Sequence, residues 1–388
     1  MTIDTSLRIT DASGNFLFET REFLEIGNSP GLHYVLACGK VGALTVTLPP
    51  DFNNLLLKDG RIHVMRSVNG NPAQREGNSC YLIRRWDYAD DYTIVTALHA
   101  NHLFWRRFFL FSSSSGSGYT DFDGASALPA DDLIKTIWKD NAGALAPATR
   151  APTTAPIGGN DTLQTDISAF VSTQANAGAG PTFDISDLTW QSVGDTILAI
   201  CDQSYSNGTY LAAEVVVPSE STLEVQTFTG QRGVDRRFSG GNGLLFSSQR
   251  GNFANGIMTV DAQHEATMVQ ALGSGVGLFR VTATAHDATR MGETPFGRIE
   301  AIVDDAQNDV VANLQVEAGG SVRMMRPVIQ AKGELVDTDT CTRGIHYNYG
   351  DLVTVELRGI QYDMRIDTLD ITLSQGVERT RTGFFYNG

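Results

Sequence analysis

Leu44-Thr45-Val46-Thr47-Leu48, stopped at once by Pro49-Pro50, is the stretch from which the fold is read. Apolar and hydroxyl side chains alternate with a period of two, the spacing of a strand that buries one face of a sheet. The pattern recurs outward in both directions. Ile62 and Val64 alternate with His63 and Met65, and residues 80–86 and 92–98 flank Asp90-Asp91 as the arms of a hairpin do. Far along the chain, Gly350-Asp351 opens a run over 352–357, Arg358-Gly359 turns it, and 362–366 returns. Leu369, Ile371 and Leu373 then alternate with Asp370 and Thr372, as a compact meander that stops soon after. Glycine, with 39 residues and no fixed period, suits many tight turns. Both ends of the chain are therefore expected to be antiparallel β structure.

Between them the pattern changes. Residues 100–111 are apolar nearly all round except for Arg106 and Arg107, which fits a short helix packed between domains or an aromatic strand. A Ser/Gly run at 112–118 marks a boundary. The spacing predicts a helix over 131–141, with Leu133, Ile134, Ile137 and Trp138 on one face, and a long surface loop over 141–161. A second helix over 190–205 carries the stripe Val193, Ile197, Ile200 and Cys201 and ends at Asn207-Gly208. A hairpin over 210–217 and 223–228 closes around Pro218-Ser219-Glu220. Strand-like runs follow at 257–261, 267–272, 279–286 and 298–303, then a last helix over 305–316.

The chain has 388 residues, 41% of them hydrophobic and 19% charged, which describes a globular protein of two to four domains. Its 44 acidic and 29 basic residues leave a net charge of −15. That balance argues against a protein that grips nucleic acid through phosphate contacts, although an acidic wall suits DNA sliding past it. Cys38, Cys80, Cys201 and Cys341 are scattered and read as free buried thiols of a reducing cytoplasm. Met1-Thr2-Ile3-Asp4-Thr5 lacks the pattern of a signal peptide, and no stretch has the length of apolar residues that a membrane span needs.

Signs of catalysis are weak. Gly273-Ser274-Gly275-Val276-Gly277 is followed by a strand-like run, not by a helix, so it reads as a hairpin loop rather than a phosphate cradle. His99 and His102 have no third ligand near them in sequence. The carboxylate pairs Asp131-Asp132, Asp304-Asp305 and Asp121 with Asp123 fit an acidic composition, and two of them sit where helices are expected to begin. No catalytic residue, cofactor or metal is expected. Three small basic clusters stand out: Arg84-Arg85-Trp86; Trp105 with Arg106 and Arg107; and Arg232 with Arg236 and Arg237. They are too few for a nucleic-acid groove and suit carboxylate pairing, within the chain or across a subunit interface.

The order of elements resembles the hub proteins of siphophage tails, also called baseplate hub or tail-associated proteins. The resemblance is spread along the chain. It runs from the N-terminal strands through the aromatic and arginine segment at 103–111, the helix at 190–201, Leu244-Leu245-Phe246-Ser247, Gly251-Asn252-Phe253 and Ala266-Thr267-Met268-Val269 to Tyr349-Gly350-Asp351. It implies a mainly β fold in which two tube-like antiparallel β-barrels, at 1–111 and 331–388, flank a mixed α+β middle at 112–330. The hairpin at 209–229 would be shared with either barrel. The hairpins after Asp59-Gly60 and Gly350-Asp351 are alike, which related barrels or chance would equally explain.

The implied role is mechanical. A homotrimer would form a pseudo-sixfold ring at the distal end of a tail tube. It would contact tail-tube or distal-tail ring proteins on one face and tip or fibre proteins on the other, and its channel would pass tape-measure protein and DNA. Such a protein resides in the virion tail and is assembled in the host cytoplasm. Many hubs carry a C-terminal extension, and the stop at Gly388 argues against receptor binding or wall digestion by this chain. Two other classes compete: a β-rich enzyme acting on glycan or peptidoglycan, and a carbohydrate-binding adsorption module. A deep cleft with paired carboxylates and aromatic platforms would favour these.

Overall fold

The alternation at Leu44 belongs to the strand Ala43–Leu48, in which Leu44, Val46 and Leu48 are fully buried. The computed structural model describes residues 2–109, 127–143, 167–183, 191–238, 243–306 and 308–386. The Ser/Gly run at 112–118, the pair Asp121 and Asp123, and most of the loop expected at 141–161 lie outside these residues, as do Leu110, Phe111 and Trp190.

The protein is mainly β. Among the described residues, fourteen strands form one sheet. Its path runs from Phe16–Thr20 through Ile3–Thr10, Arg61–Val68, Tyr81–Tyr88, Thr93–His99, Ala43–Leu48 and Leu32–Ala37 into the C-terminal part of the chain. There it continues through Ile360–Ser374, Val377–Tyr386 and Val328–Leu335 to Phe253–Asp261. The long strand Ile360–Ser374 first pairs with Leu352–Leu357 and then crosses to Leu32–Ala37, where Leu369 lies opposite Leu36 and Ile371 opposite Tyr34. The two ends of the chain thus meet along a main-chain seam. No ring of pairings closes among the described residues.

The sheet is held by one core to which both ends contribute. Leu36, Val46, Ile62 and Tyr81 pack in the same cluster as Val353, Ile366, Leu369 and Phe384. Strands Leu245–Ser247 and Phe253–Asp261 join this sheet by pairing with Leu352–Leu357 and Val328–Leu335.

A second core lies beside it, between helix α1 (Ala130–Ala142), helix α2 (Val193–Ser206) and the hairpin Leu211–Val216 with Leu223–Thr229. The stripes read from sequence are the buried faces: Leu133, Ile134, Ile137 and Trp138 on α1, and Val193, Ile197, Ile200 and Cys201 on α2. Helix α2 starts at Val193 because the Ser192 hydroxyl caps it, accepting from Asp195 N–H at 3.4 Å. The segment after Thr93–His99 is a 3-10 helix, Ala100–Arg106, and Phe108 then bridges to Ser192.

A third core lies under a small unit in which Met268–Leu272, Thr282–His286 and Glu300–Asp304 carry helix α3 (Val311–Met324) on one face. The helix expected over 305–316 is displaced towards the C-terminus. Asp305 and Asn308 instead form a turn, with Asn308 N–H donating to the Asp305 carbonyl and its side chain to the Asp305 carboxylate, both at 3.0 Å. Gly319-Gly320, poor helix formers, hide the second half of α3 from sequence reading. A Cβ on Gly320 would lie 3.3 Å from the Ser206 side chain, so glycine there lets α3 approach α2 closely.

Candidate assembly interface

The basic clusters resolve into separate internal pairings. Arg84 and Arg106 converge on a single oxygen of Asp59, with Nη···Oδ1 distances of 2.7 and 2.8 Å. Burial alone would raise the Asp59 carboxyl, but the two guanidinium groups outweigh it and hold it below the usual range. Arg85 takes its neighbour Asp87, and Trp86 packs partly buried against the large core. The Trp105 indole donates to Asp195 Oδ1 at 2.8 Å, and its ring lies so close to Gly194 that a Cβ there would be 2.5 Å away. The Arg107 carbonyl accepts from Val193 N–H at 3.0 Å, and burial beside Arg106 lowers its guanidinium pKa. This aromatic and arginine segment therefore fastens the start of α2 to the sheet.

The third cluster acts at the C-terminal turn. Arg232 binds buried Glu214 at 3.0 Å and lies over the Tyr349 ring, 3.9 Å from its centroid. Glu214 also accepts from the Tyr349 hydroxyl at 3.0 Å and from Gly39 N–H at 3.1 Å. One carboxylate thus ties the hairpin to both ends of the chain. Arg236 binds Asp351 at 3.0 Å, and Arg237 binds exposed Asp235 at 2.7 Å.

Sequence reading missed a larger charge network. Arg66, from the N-terminal strands, binds Glu378 at 3.0 Å and also Asp337. Arg343 binds the same Glu378 oxygen at 2.8 Å, lies 3.4 Å from Glu76, and donates to Thr380 at 3.0 Å. Burial would raise the Glu378 carboxyl, yet Arg343 and Arg66 hold it below the usual range. No motif announces this network, since its members are scattered over 300 positions and only the sheet brings them together.

The enzyme-like features take structural roles. Asp131 accepts from Ala179 N–H at 2.7 Å and forms a fully buried ion pair with Lys135 at 3.0 Å; Asp132 accepts from Ala177 and Gly178. Asp304 pairs with Arg280. His99 is buried, which pushes its pKa down to about 4, and its Nδ1 accepts from Asn101 N–H. Among the described residues no group of three or more His, Cys, Asp or Glu side chains is placed to hold a metal. All four cysteines are free and buried, and burial pushes the Cys80, Cys201 and Cys341 thiols up to about 12. Gly273 to Gly277 forms the loop of the antiparallel pair Met268–Leu272 and Thr282–His286.

A cleft of about 920 Å³ between α2 and α3 collects Asp202, Asp305 and Glu317, with Phe183 the one aromatic side chain among the described residues of its wall. Burial raises the Asp202 and Glu317 carboxyls. Among the described residues the cleft thus gathers carboxylates without the paired aromatic platforms of a glycan site.

The apolar surface lies elsewhere. Leu278 and Phe279 at the tip of the glycine loop are almost fully exposed, as is Phe296. On the sheet, the terminal strand Phe253–Asp261 presents exposed Ile257 and Val260, and the opposite terminal strand Phe16–Thr20 presents Phe16. No helix among the described residues is long and apolar enough to cross a membrane.

No family model and no curated protein matches the chain. Solved structures do match its fold over nearly the full length. A 43 kDa tail protein of prophage MuSo2 from Shewanella oneidensis aligns with a TM-score of 0.57 at 9% identity, covering 99% of this chain and 98% of its own. A tail protein from Neisseria meningitidis aligns with a TM-score of 0.54 at 13% identity, covering 100% and 98%. A prophage tail protein from Listeria monocytogenes aligns with a TM-score of 0.50 at 11% identity, covering 98% and 94%. The chain has the fold of these tail proteins.

Proposed function

We propose that this chain is a structural tail-hub subunit and not an enzyme. The observation that carries the reading is the end-to-end likeness in fold to three tail proteins of nearly the same extent, two of them from prophages. In this reading the N-terminal strands and the C-terminal strands are two tube-like units, meeting at the seam between Leu32–Ala37 and Ile360–Ser374, with the α+β units set outside them. Three copies present six such units around an axis, which matches a threefold tip to a sixfold tube. The large sheet supplies a physical reason for assembly. Among the described residues its terminal strands leave unpaired N–H and C=O groups, a template for pairing with another chain. A heterologous contact repeated around a threefold axis closes into a ring. The acidic balance of the chain suits a channel that lets DNA and tape-measure protein pass. Tube proteins would stack on one face and tip or fibre proteins on the other, with Arg85 and Arg237, the most exposed cations of the basic clusters, as candidates for the rims.

Cryo-EM of an assembled tail carrying this protein tests the reading. Three copies at the distal end, with two superposable units per chain, are expected. A strict sixfold ring of six copies, or absence from the tail, would refute it.

A further inference from the structure

Exposed apolar side chains gather at one end of the small unit. The loop between Met268–Leu272 and Thr282–His286, the turn after Glu300–Asp304 and the start of α3 meet there. They are joined through the main chain. Ser274 N–H donates to the Asn308 carbonyl at 2.7 Å, and Asp305 N–H to the Leu272 carbonyl at 2.8 Å. On the loop, Val276, Leu278 and Phe279 are each more than three-quarters exposed, and beside it Val310 and Val311 are about half exposed. Single exposed apolar residues are ordinary on a protein surface, but five at one end mark an interaction surface.

The loop holds its apolar tip outward. Its neck is closed by Gly273 N–H donating to the Val281 carbonyl at 2.7 Å and Val281 N–H to the Ser274 carbonyl at 2.9 Å. Arg280 reaches back across the neck, donating from Nε to the Gly273 carbonyl at 2.7 Å, and pairs with Asp304. Phe279 N–H donates to the Val276 carbonyl at 3.1 Å, which makes the tip a tight 3-10 turn. Gly275 and Gly277 supply the positive φ that this path needs, at +103 and +56. A preformed knob loses little conformational freedom on docking. A projecting Leu–Phe pair has the form of an anchor that fills a socket.

Charge around the knob defines the rim of that socket. Among the described residues this end carries Asp304, Asp305 and Asp309 against one cation, Arg280, which Asp304 already meets. Neither Asp305 nor Asp309 is in an ion pair. An anionic lipid surface is repelled by such a rim, and a second copy, with its own net charge of −15, is a poor match. The complement is a different protein with lysine or arginine around an apolar socket. We propose that this end of the small unit, with Leu278 and Phe279 as anchors, docks a neighbouring tail protein that presents an apolar socket with a basic rim. The proposal goes beyond the tail-hub reading and rests on it only for where the neighbour is met.

Photo-cross-linking in assembled tails, with p-benzoylphenylalanine in place of Phe279, tests it. Irradiation is expected to join this chain to a different tail protein, at a residue with lysine or arginine among its neighbours. That protein, purified, is then titrated by isothermal calorimetry against the unaltered chain and two variants altered only at exposed positions. Leu278→Ser with Phe279→Ser, which removes the anchors, should weaken binding about thirtyfold. Asp309→Lys, which reverses one rim charge and leaves the anchors in place, should weaken it about fivefold. Unchanged affinity in the double serine variant overturns the assignment of the anchors, and unchanged affinity in Asp309→Lys overturns the basic rim. In tails that contain the chain, cross-linking only to a second copy or to lipid, or no cross-link, overturns the proposal and leaves the tail-hub reading standing. A chain absent from tails refutes that reading and the proposal with it.

Discussion

Arg66 and Glu378 are 312 positions apart in the chain and 3.0 Å apart in space, with both side chains almost wholly removed from water. Arg343 reaches the same carboxylate, so Glu378 is the shared counter-ion of two buried cations. Removing one partner of such a group leaves the others buried and uncompensated, which costs about 3–5 kcal/mol. Glu378→Gln keeps the shape and removes the charge. It is expected to lower stability by that amount in urea denaturation, whereas Glu300→Gln, on an exposed strand of the small unit, should change it by less than about 0.5 kcal/mol. Equal stabilities would mean that the network contributes nothing to joining the two ends.

His63 lies in the same sheet, fully buried, with Arg75 and Arg61 nearby. Burial first, and then those cations, pushes its pKa down to about 3, so it is neutral in the folded protein. The unfolded chain binds a proton there below about pH 6.5, and the folded one does not. Stability contributed by the neutral ring is therefore present above that pH and is lost as pH falls towards 3, by up to about 1.4 kcal/mol per pH unit. His63→Leu removes this linkage. The gap between the variant and the unaltered protein, followed by urea denaturation, is expected to move in the variant's favour by about 1 kcal/mol between pH 7 and 5.5. A gap that does not change with pH would show that His63 is not held neutral.

The parts of the fold that were legible in sequence are those in which one physical signal dominates. Leu44, Val46 and Leu48 alternate cleanly because one face of their strand meets a purely apolar core, and α2 shows its stripe because Val193, Ile197, Ile200 and Cys201 all face one apolar core. The last strand, Val377–Tyr386, escaped notice because its inward positions include Glu378, Thr380 and Thr382. Their burial makes sense only once Arg66 and Arg343, delivered by distant segments, are in place. Val328–Leu335 was missed for a similar reason, since most of its residues are only partly covered and its alternation is blurred. The basic clusters were visible, but their partners were not. Nothing in Arg84 or Arg106 indicates that both reach Asp59, because that meeting depends on the turn at Asp59 and the path of the 3-10 helix.

Hydrolytic activity is the chief rival to a mechanical role, and the cleft holding Asp202, Asp305 and Glu317 is where it would reside. Raised carboxyls in a cleft can act as general acids, but a glycan site also needs surfaces on which sugar rings stack. The purified protein is expected to leave peptidoglycan and soluble polysaccharides intact, as measured by dye release and reducing-sugar assays. Turnover that disappears in Asp202→Asn or Glu317→Gln would refute the structural reading.

Assembly can be probed without a virion at the terminal strand Phe253–Asp261. Ile257 and Val260 are about two-thirds and just over half exposed at the end of the sheet, where a second chain would add its own strand. Native edges are protected from unwanted pairing by charge, so Lys at these positions should block pairing while costing the monomer little. The double variant Ile257→Lys with Val260→Lys is expected to keep the circular dichroism spectrum and to unfold within about 1 kcal/mol of the unaltered protein. In a tail-assembly reaction supplied with tube proteins, it should fail to enter the tail fraction on a sucrose gradient. The bulge between Ala254 and Ile257, with Asn255 at φ +53, already bends the near end of this strand, so pairing should centre on its straight second half. A control within the bulge, Asn255→Gly, relieves the left-handed backbone and should assemble normally. If the double lysine variant enters tails as efficiently as the unaltered protein, the strand is not the assembly edge, and the ring must close through another surface, for which exposed Phe296 is the next position to change.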